Sequence, residues 1–141
     1  MEKDQIQYRK LKQYKYQLMA PYGIQTSIKS ESEIQLDYIM LRTDGMLFIH
    51  KGYCWDGPSG PTIDTPSFMR GSLIHDAFYQ LIRDGHLSRA YRYYADALLY
   101  KICLEDDMLK CRAGYVFQSV RKFGKCFVKP KVKIKEILTA P

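Results

Sequence analysis

The sequence predicts an α+β fold: an N-terminal β-hairpin or meander followed by a three-helix core that contains an antiparallel helix pair. Three observations carry the prediction. Strand-like alternation with a hairpin turn dominates the region before residue 52, a Gly- and Pro-rich loop follows at 52–61, and helical periodicity occupies residues 66–123. Elements segregated in this way pack as α+β rather than as a parallel α/β sheet.

Residues 1–12 are polar and read as a frayed helix or a tail. Tyr14-Lys15-Tyr16-Gln17-Leu18 alternates like a strand, Pro21 and Gly23 interrupt it, and residues 24–28 supply a second short strand. Residues 29–33 form a polar turn. Residues 34–41, rich in Ile, Leu and Tyr, predict one continuous strand. Thr43-Asp44-Gly45 turns the chain, since Gly accepts the positive φ such turns require, and residues 46–49 return as the partner of a hairpin. The loop from Gly52 to Pro61 is too rich in Gly and Pro to be helix or regular strand.

Thr65 then caps a helix whose first position is Pro66 and which runs to Arg83, ending at Asp84-Gly85. Ser88 starts a second helix that continues to Glu105. A third runs from Leu109 to Phe123, its apolar residues Leu109, Ala113, Val116, Phe117, Val120 and Phe123 recurring at helical spacing, and Gly124 ends it. Residues 128–134 alternate apolar with Lys, as in an edge strand or an ordered basic tail. The chain thus divides into a polar segment (1–12), one α+β domain (13–127) and a basic strand or tail (128–141).

A chain of 141 residues fits one domain that folds without covalent staples. No run approaches the roughly 18 apolar residues of a membrane span. The charged start Met1-Glu2-Lys3-Asp4 has no apolar stretch behind it, so secretion by a classical signal is not expected. Cys54, Cys103, Cys111 and Cys126 form no Cys-x-x-Cys pair, and the expectation is reduced, mostly packed thiols rather than a zinc site. The net charge is +7, with Lys and Arg crowding the C-terminal third. Such an excess attracts anionic surfaces, membrane or nucleic acid, or else simply solubilises the protein. For nucleic acid, the candidate segment is Lys129 to Lys135 with exposed Tyr, its affinity falling steeply with salt.

The candidate chemistry lies on the first two helices. Phe68, Ser72, His75 and Tyr79 share a stripe, as do Tyr93, Asp96, Tyr100 and Cys103. Consecutive helices joined by a short turn pack antiparallel. With about ten residues between each group and the turn, and about 1.5 Å rise per residue, His75 and Asp96 fall at the same height. A His75–Asp96 hydrogen bond is therefore predicted. It would satisfy a buried carboxylate, fix the imidazole tautomer and leave the other ring nitrogen free to take a proton from water. The competing reading is a satisfied polar pair that pins two helices. Asp76 points about 100° away around the helix. With Asp56 and the backbone of Gly57 in the Gly-rich loop it would offer oxygen ligands suited to Ca²⁺ or Mg²⁺. Trp55 reads as a core anchor, His50 and His86 as surface residues, and Glu105-Asp106-Asp107 as a solvated helix end. The Lys-Ser/Thr of a phosphate-binding loop and the Gly-x-Ser-x-Gly elbow of a hydrolase are both missing.

Residues 52–124 resemble the domain of unknown function 1353 family of phages and prophages. The matching residues are Trp55-Asp56-Gly57-Pro58-Ser59-Gly60-Pro61, His75-Asp76-Ala77-Phe78-Tyr79, Ala95-Asp96 and Val120-Arg121-Lys122-Phe123-Gly124. The resemblance implies phage or prophage origin, and hence a host-cytoplasmic or virion-associated protein. The His-Asp-x-x-Tyr helix followed by an Asp on the antiparallel helix is also similar to the core of the phospholipase A2 superfamily. That similarity implies His75 as general base, Asp96 as its orienting group and Asp76 as a Ca²⁺ ligand, with the loop from Tyr53 to Gly60 in the calcium-loop position. Pro58, Pro61 and the additional Asp56 depart from that family's loop. Taken together, the expectation is a phage-type metal-dependent hydrolase in which His75, Asp96 and Tyr79 are catalytic. Asp76, Asp56 and Gly57 would hold a divalent cation, Ca²⁺ before Mg²⁺, and the substrate would be an ester or phospholipid. The alternative is a non-enzymatic phage accessory or virion protein that binds a partner or nucleic acid through its basic surface.

Overall fold

A computed structural model describes residues 4–12, 16–56, 65–129 and 140. The fold is α+β: antiparallel sheets followed by three helices. In chain order the strands are β1 (Tyr8–Lys10), β2 (Tyr16–Leu18), β3 (Tyr22–Gln25), β4 (Ile34–Gln35), β5 (Ile39–Leu41), β6 (Met46–Ile49) and β7 (Cys54–Trp55). One sheet has the order β1-β2-β7, the other β3-β6-β5-β4, and every pairing is antiparallel.

The predicted hairpin is β5–β6, in the register Leu41↔Leu47 and Ile39↔Ile49. Its turn works as anticipated. Gly45 has φ +92, where a Cβ would collide with the Thr26 carbonyl oxygen, and the Met46 amide donates to Asp44 Oδ1 at 3.1 Å.

Three strand expectations need correction. Residues 34–41 are not one strand. The chain reverses at Asp37-Tyr38, where the Leu36 amide donates to the Ile39 carbonyl at 2.8 Å, and Ile34 pairs with Leu41. The apolar residues on either side, Ile34 and Leu36 and then Ile39 and Leu41, alternate in opposite phase, as two short strands require. The polar N-terminal segment contains β1, whose residues are all exposed and therefore carry no burial pattern. The Gly-rich loop contains β7, which pairs Trp55 with Tyr16 and Cys54 with Gln17. A side chain as large as Trp55 outweighs local loop chemistry. It is buried among Tyr8 and Tyr16 and donates its indole N–H to Ser72 Oγ at 3.0 Å, joining sheet to helix.

The helices are α1 (Pro66–Arg83), α2 (Arg92–Glu105) and α3 (Lys110–Phe123), close to their predicted bounds. A 3₁₀ turn (Arg89–Tyr91) precedes α2, and Ser88 caps it by accepting from the Ala90 amide. Thr65 occupies the cap position of α1, but its hydroxyl makes no cap bond and accepts instead from Arg112. A second 3₁₀ turn (Gly124–Phe127) follows α3. Val128 is buried and Lys129 exposed, in a bend rather than a strand; residues 130–139 and 141 of the predicted basic tail lie outside the described residues.

α1 is buried along most of its circumference because it lies between the strands and α2. Leu73, Ala77, Phe78 and Leu81 meet Leu18, Ile39, Leu41 and Leu47 in the main core. Phe68, Leu99, Cys103, Met108, Ala113 and Val116 form a second cluster among the helices. The four cysteines are free thiols, but only Cys103 is packed; Cys54, Cys111 and Cys126 are exposed, contrary to the expectation of mostly buried thiols.

Arg70 is buried in the first turns of α1. Its Nε and Nη2 bond both oxygens of Asp106 at 3.0 Å, Nη2 also reaches Glu105 at 3.0 Å, and Nη1 reaches Tyr22 at 2.8 Å and Asp4 at 3.5 Å. All five guanidinium donors are thereby used. Glu105 and Asp107 are exposed, as the solvated helix end predicts, but Glu105 and Asp106 are also ion-pair partners of Arg70, and Asp106 is largely covered. Acids at a helix C-terminus are disfavoured by the dipole, and the buried cation opposite offsets that.

Candidate active site

His75 and Tyr79 stand on one face of α1, four residues apart, with ring centroids 4.0 Å from each other. Asp96 faces them from the first turns of α2. The His75 Nε2–H donates to Asp96 Oδ1 at 2.6 Å, and the Tyr79 hydroxyl donates to the same oxygen at 2.5 Å. The predicted pair is therefore formed, with Tyr79 joined to it. Asp96 is 0 % exposed. Of the second predicted stripe, Cys103 is buried but Tyr93 is exposed, so α2 turns a narrower face inward than its sequence pattern implies.

The other carboxylate oxygen has partners that the sequence reading missed. Arg121 Nη1 donates to Asp96 Oδ2 at 2.8 Å and Arg92 Nη1 approaches it at 3.4 Å. Arg92 also donates to the carbonyls of Val120 at 2.9 Å and Arg121 at 3.1 Å, in the last turn of α3. Arg92 was traceable from its i,i+4 spacing to Asp96. Arg121 lies within the Val120-to-Gly124 motif, but nothing in its spacing assigned it to Asp96. Gly124 closes the cluster. A Cβ there would lie 2.5 Å from the Tyr79 hydroxyl and 3.0 Å from Arg92 Nη1, so only glycine lets the end of α3 come this near.

The electrostatics follow from these contacts. Burial alone would raise the Asp96 pKa, but the bond and charge of His75, the Tyr79 hydroxyl and Arg121 together lower it, and the group stays ionised. Burial raises the Tyr79 pKa and the Asp96 bond adds to the shift, so the phenol keeps its proton as a donor. With Nε2 bound to Asp96, the lone pair of the neutral imidazole resides on Nδ1. That nitrogen lies 4.0 Å from Asp76 Oδ1.

Asp76 differs from Asp96 in every respect. Its side chain is 32 % exposed, and among the described residues its one ion-pair contact is the long one to His75. Desolvation, then the charge of Asp56, push its pKa up to about 8, with Arg83 opposing. Asp56 is exposed at the end of β7 and close enough to act on Asp76. Gly57, the third predicted ligand, lies outside the described residues. Among the described residues no three His, Cys, Asp or Glu side chains gather as a metal-binding group. The carboxylates of Asp56 and Asp76 are the oxygen donors on hand, and they suit a hard cation. His50 and His86 are exposed and stand apart from the cluster, as expected.

Comparison with protein-family models, with curated proteins and with solved structures finds no match.

Proposed function

We propose that this chain is a phage-type metal-dependent hydrolase, cleaving an ester with water activated by the His75–Asp96 dyad. The observation that carries the reading is the asymmetry of the imidazole: Nε2 is held by a buried, ionised carboxylate, and Nδ1 is left toward Asp76. In such a site Nδ1 accepts a proton from water as the water oxygen attacks the ester carbonyl. The same proton then passes to the departing alkoxide as the C–O bond breaks, and the imidazole returns to its neutral form. Asp96 and Tyr79 position the ring without contacting substrate. Asp76 and Asp56 would hold the divalent cation, Ca²⁺ before Mg²⁺. When bound, that ion polarises the ester carbonyl or a phosphoryl oxygen. The resemblance to the phospholipase A2 core places a phospholipid ahead of a cyclic nucleotide or a cell-wall component as substrate.

The test is hydrolysis of phosphatidylglycerol vesicles and of p-nitrophenyl esters, with Ca²⁺ or with chelator. Loss of general-base catalysis in His75→Ala should slow turnover by about 10²–10⁴-fold. Turnover equal to wild type in that variant overturns the mechanism.

One observation favours a second reading. Two guanidiniums neutralise Asp96, as they would in a purely structural pin joining α1, α2 and α3. The protein would then be a non-enzymatic accessory or virion component acting through its basic surface. That reading predicts loss of stability in Asp96 variants and no Ca²⁺ binding by calorimetry.

A further inference from the structure

Large apolar side chains left exposed are concentrated on the helical half of the molecule. Tyr93, Tyr94, Leu109, Tyr115, Phe123 and Phe127 are between 49 and 73 % exposed, and elsewhere among the described residues only Tyr8 and Tyr38 join them. Exposed apolar groups gathered in one region mark an interaction surface. Of these, Tyr94 and Tyr93 begin a file of rings across α2 and α3 that continues through the half-buried Phe117 and Tyr100. Ring centroids run Tyr94 to Tyr93 at 5.8 Å, Tyr93 to Phe117 at 6.4 Å and Phe117 to Tyr100 at 6.0 Å.

The same region is charged with one sign. Residues 108–129 contain Lys110, Arg112, Arg121, Lys122, Lys125 and Lys129 and no Asp or Glu. Cations sit beside rings: the Arg121 guanidinium lies 5.3 Å from the Tyr93 centroid, and the Lys122 ammonium 5.3 Å from that of Phe123. Clustered cations of this kind attract a polyanion.

From this geometry we infer that the outer face of α2 and α3 binds single-stranded nucleic acid without sequence preference. Bases stack on the aromatic file while the lysines hold phosphates. A ring with a cation at its side complements the two halves of one nucleotide, and stacking is indifferent to base identity. An anionic bilayer would also answer the charge. The exposed set is nonetheless aromatic apart from Leu109, and Tyr predominates, which favours stacking over insertion of aliphatic chains among lipid tails. The inference is independent of the hydrolase reading and of residues 130–139.

The experiment is fluorescence anisotropy of the full chain with labelled dT20, alongside heparin and equimolar phosphatidylglycerol–phosphatidylcholine vesicles. Wild type should bind dT20, and log Kd should vary linearly with log salt. Tyr93→Leu with Tyr94→Leu, which keeps apolar surface but removes the rings, should weaken dT20 roughly tenfold or more and leave heparin unchanged. Lys110→Gln with Lys122→Gln should weaken both ligands and flatten the salt slope. Arg121 is left intact because it serves Asp96, and an unchanged Tm certifies the fold of each variant. No binding to dT20 at low salt overturns the inference. So does equal loss of dT20 and heparin in the tyrosine variant, or binding to vesicles in place of dT20.

Discussion

Two buried charge clusters span the α1–α2 pair, and they are built with opposite polarity. Toward one end Arg70 is a cation ringed by Asp106, Glu105, Asp4 and the Tyr22 hydroxyl. Toward the other, Asp96 is an anion ringed by His75, Tyr79, Arg92 and Arg121. Each ties α1 to the facing helix, and each satisfies a charge that burial would otherwise make costly. The difference lies in what is left over. The Arg70 cluster has used every donor of its central group. The Asp96 cluster includes an imidazole with one nitrogen uncommitted to it, beside a carboxylate whose pKa burial has raised. A satisfied cluster holds a fold together; one with a spare proton-accepting atom can also carry out chemistry.

Mutations should separate the two. The largest stability loss is expected from Asp96→Ala, about 3–5 kcal/mol, because it leaves Arg92, Arg121, His75 and Tyr79 without their common acceptor; chemical denaturation measures it. Arg70→Ala should cost somewhat less, roughly 2–4 kcal/mol, since Glu105 and Asp4 are solvent-accessible and can be rehydrated. It should leave turnover per folded molecule untouched, whereas Asp96→Asn should lower turnover more than it lowers Tm. Gly124→Ala should destabilise by about 1–3 kcal/mol, as the added methyl pushes Tyr79 and Arg92 off Asp96.

A further effect is a gain, and its sign follows from linkage. The folded-state pKa of Asp76 is raised from 3.8 to about 8, so the folded chain holds that proton more tightly than the unfolded chain. Ionising Asp76 therefore costs stability progressively as pH rises from about 4 to about 8. Asp76→Asn should raise Tm at pH 8 and leave it unchanged at pH 4. Ca²⁺ should raise the Tm of wild type at pH 8 and not that of the variant. For Asp96 the sign is opposite. Its lowered pKa contributes stability that is present above the unfolded value of 3.8 and lost as pH falls through the folded one.

How much of this was legible in the sequence depended on the range of the interaction. Helix bounds rest on neighbours such as Pro66, Ser88 and Gly124, and they were read to within a few residues. The His75–Asp96 pair was also legible, because one short turn fixes the height of two antiparallel helices. Arg70 was not. Its partners lie as far away as Asp4 and Asp106, and a charged residue within an apolar helix carries no mark of which distant acids will meet it. β1 and β7 escaped for a similar reason: strand pairing is non-local, β1 is exposed throughout, and β7 is only two residues long. The fold-back at Asp37-Tyr38 shows a further limit: in one straight strand Ile34 and Leu41 would point to opposite faces, and only the reversal, which pairs them across β4 and β5, brings both into the core.

The tautomer of His75 tests the account most directly. Long-range ¹H–¹⁵N spectra at neutral pH should find the proton on Nε2, bonded to Asp96, and an unprotonated Nδ1. Those resonances should move when Asp96 is replaced by Asn. A proton on Nδ1, or ring resonances indifferent to Asp96→Asn, would contradict it.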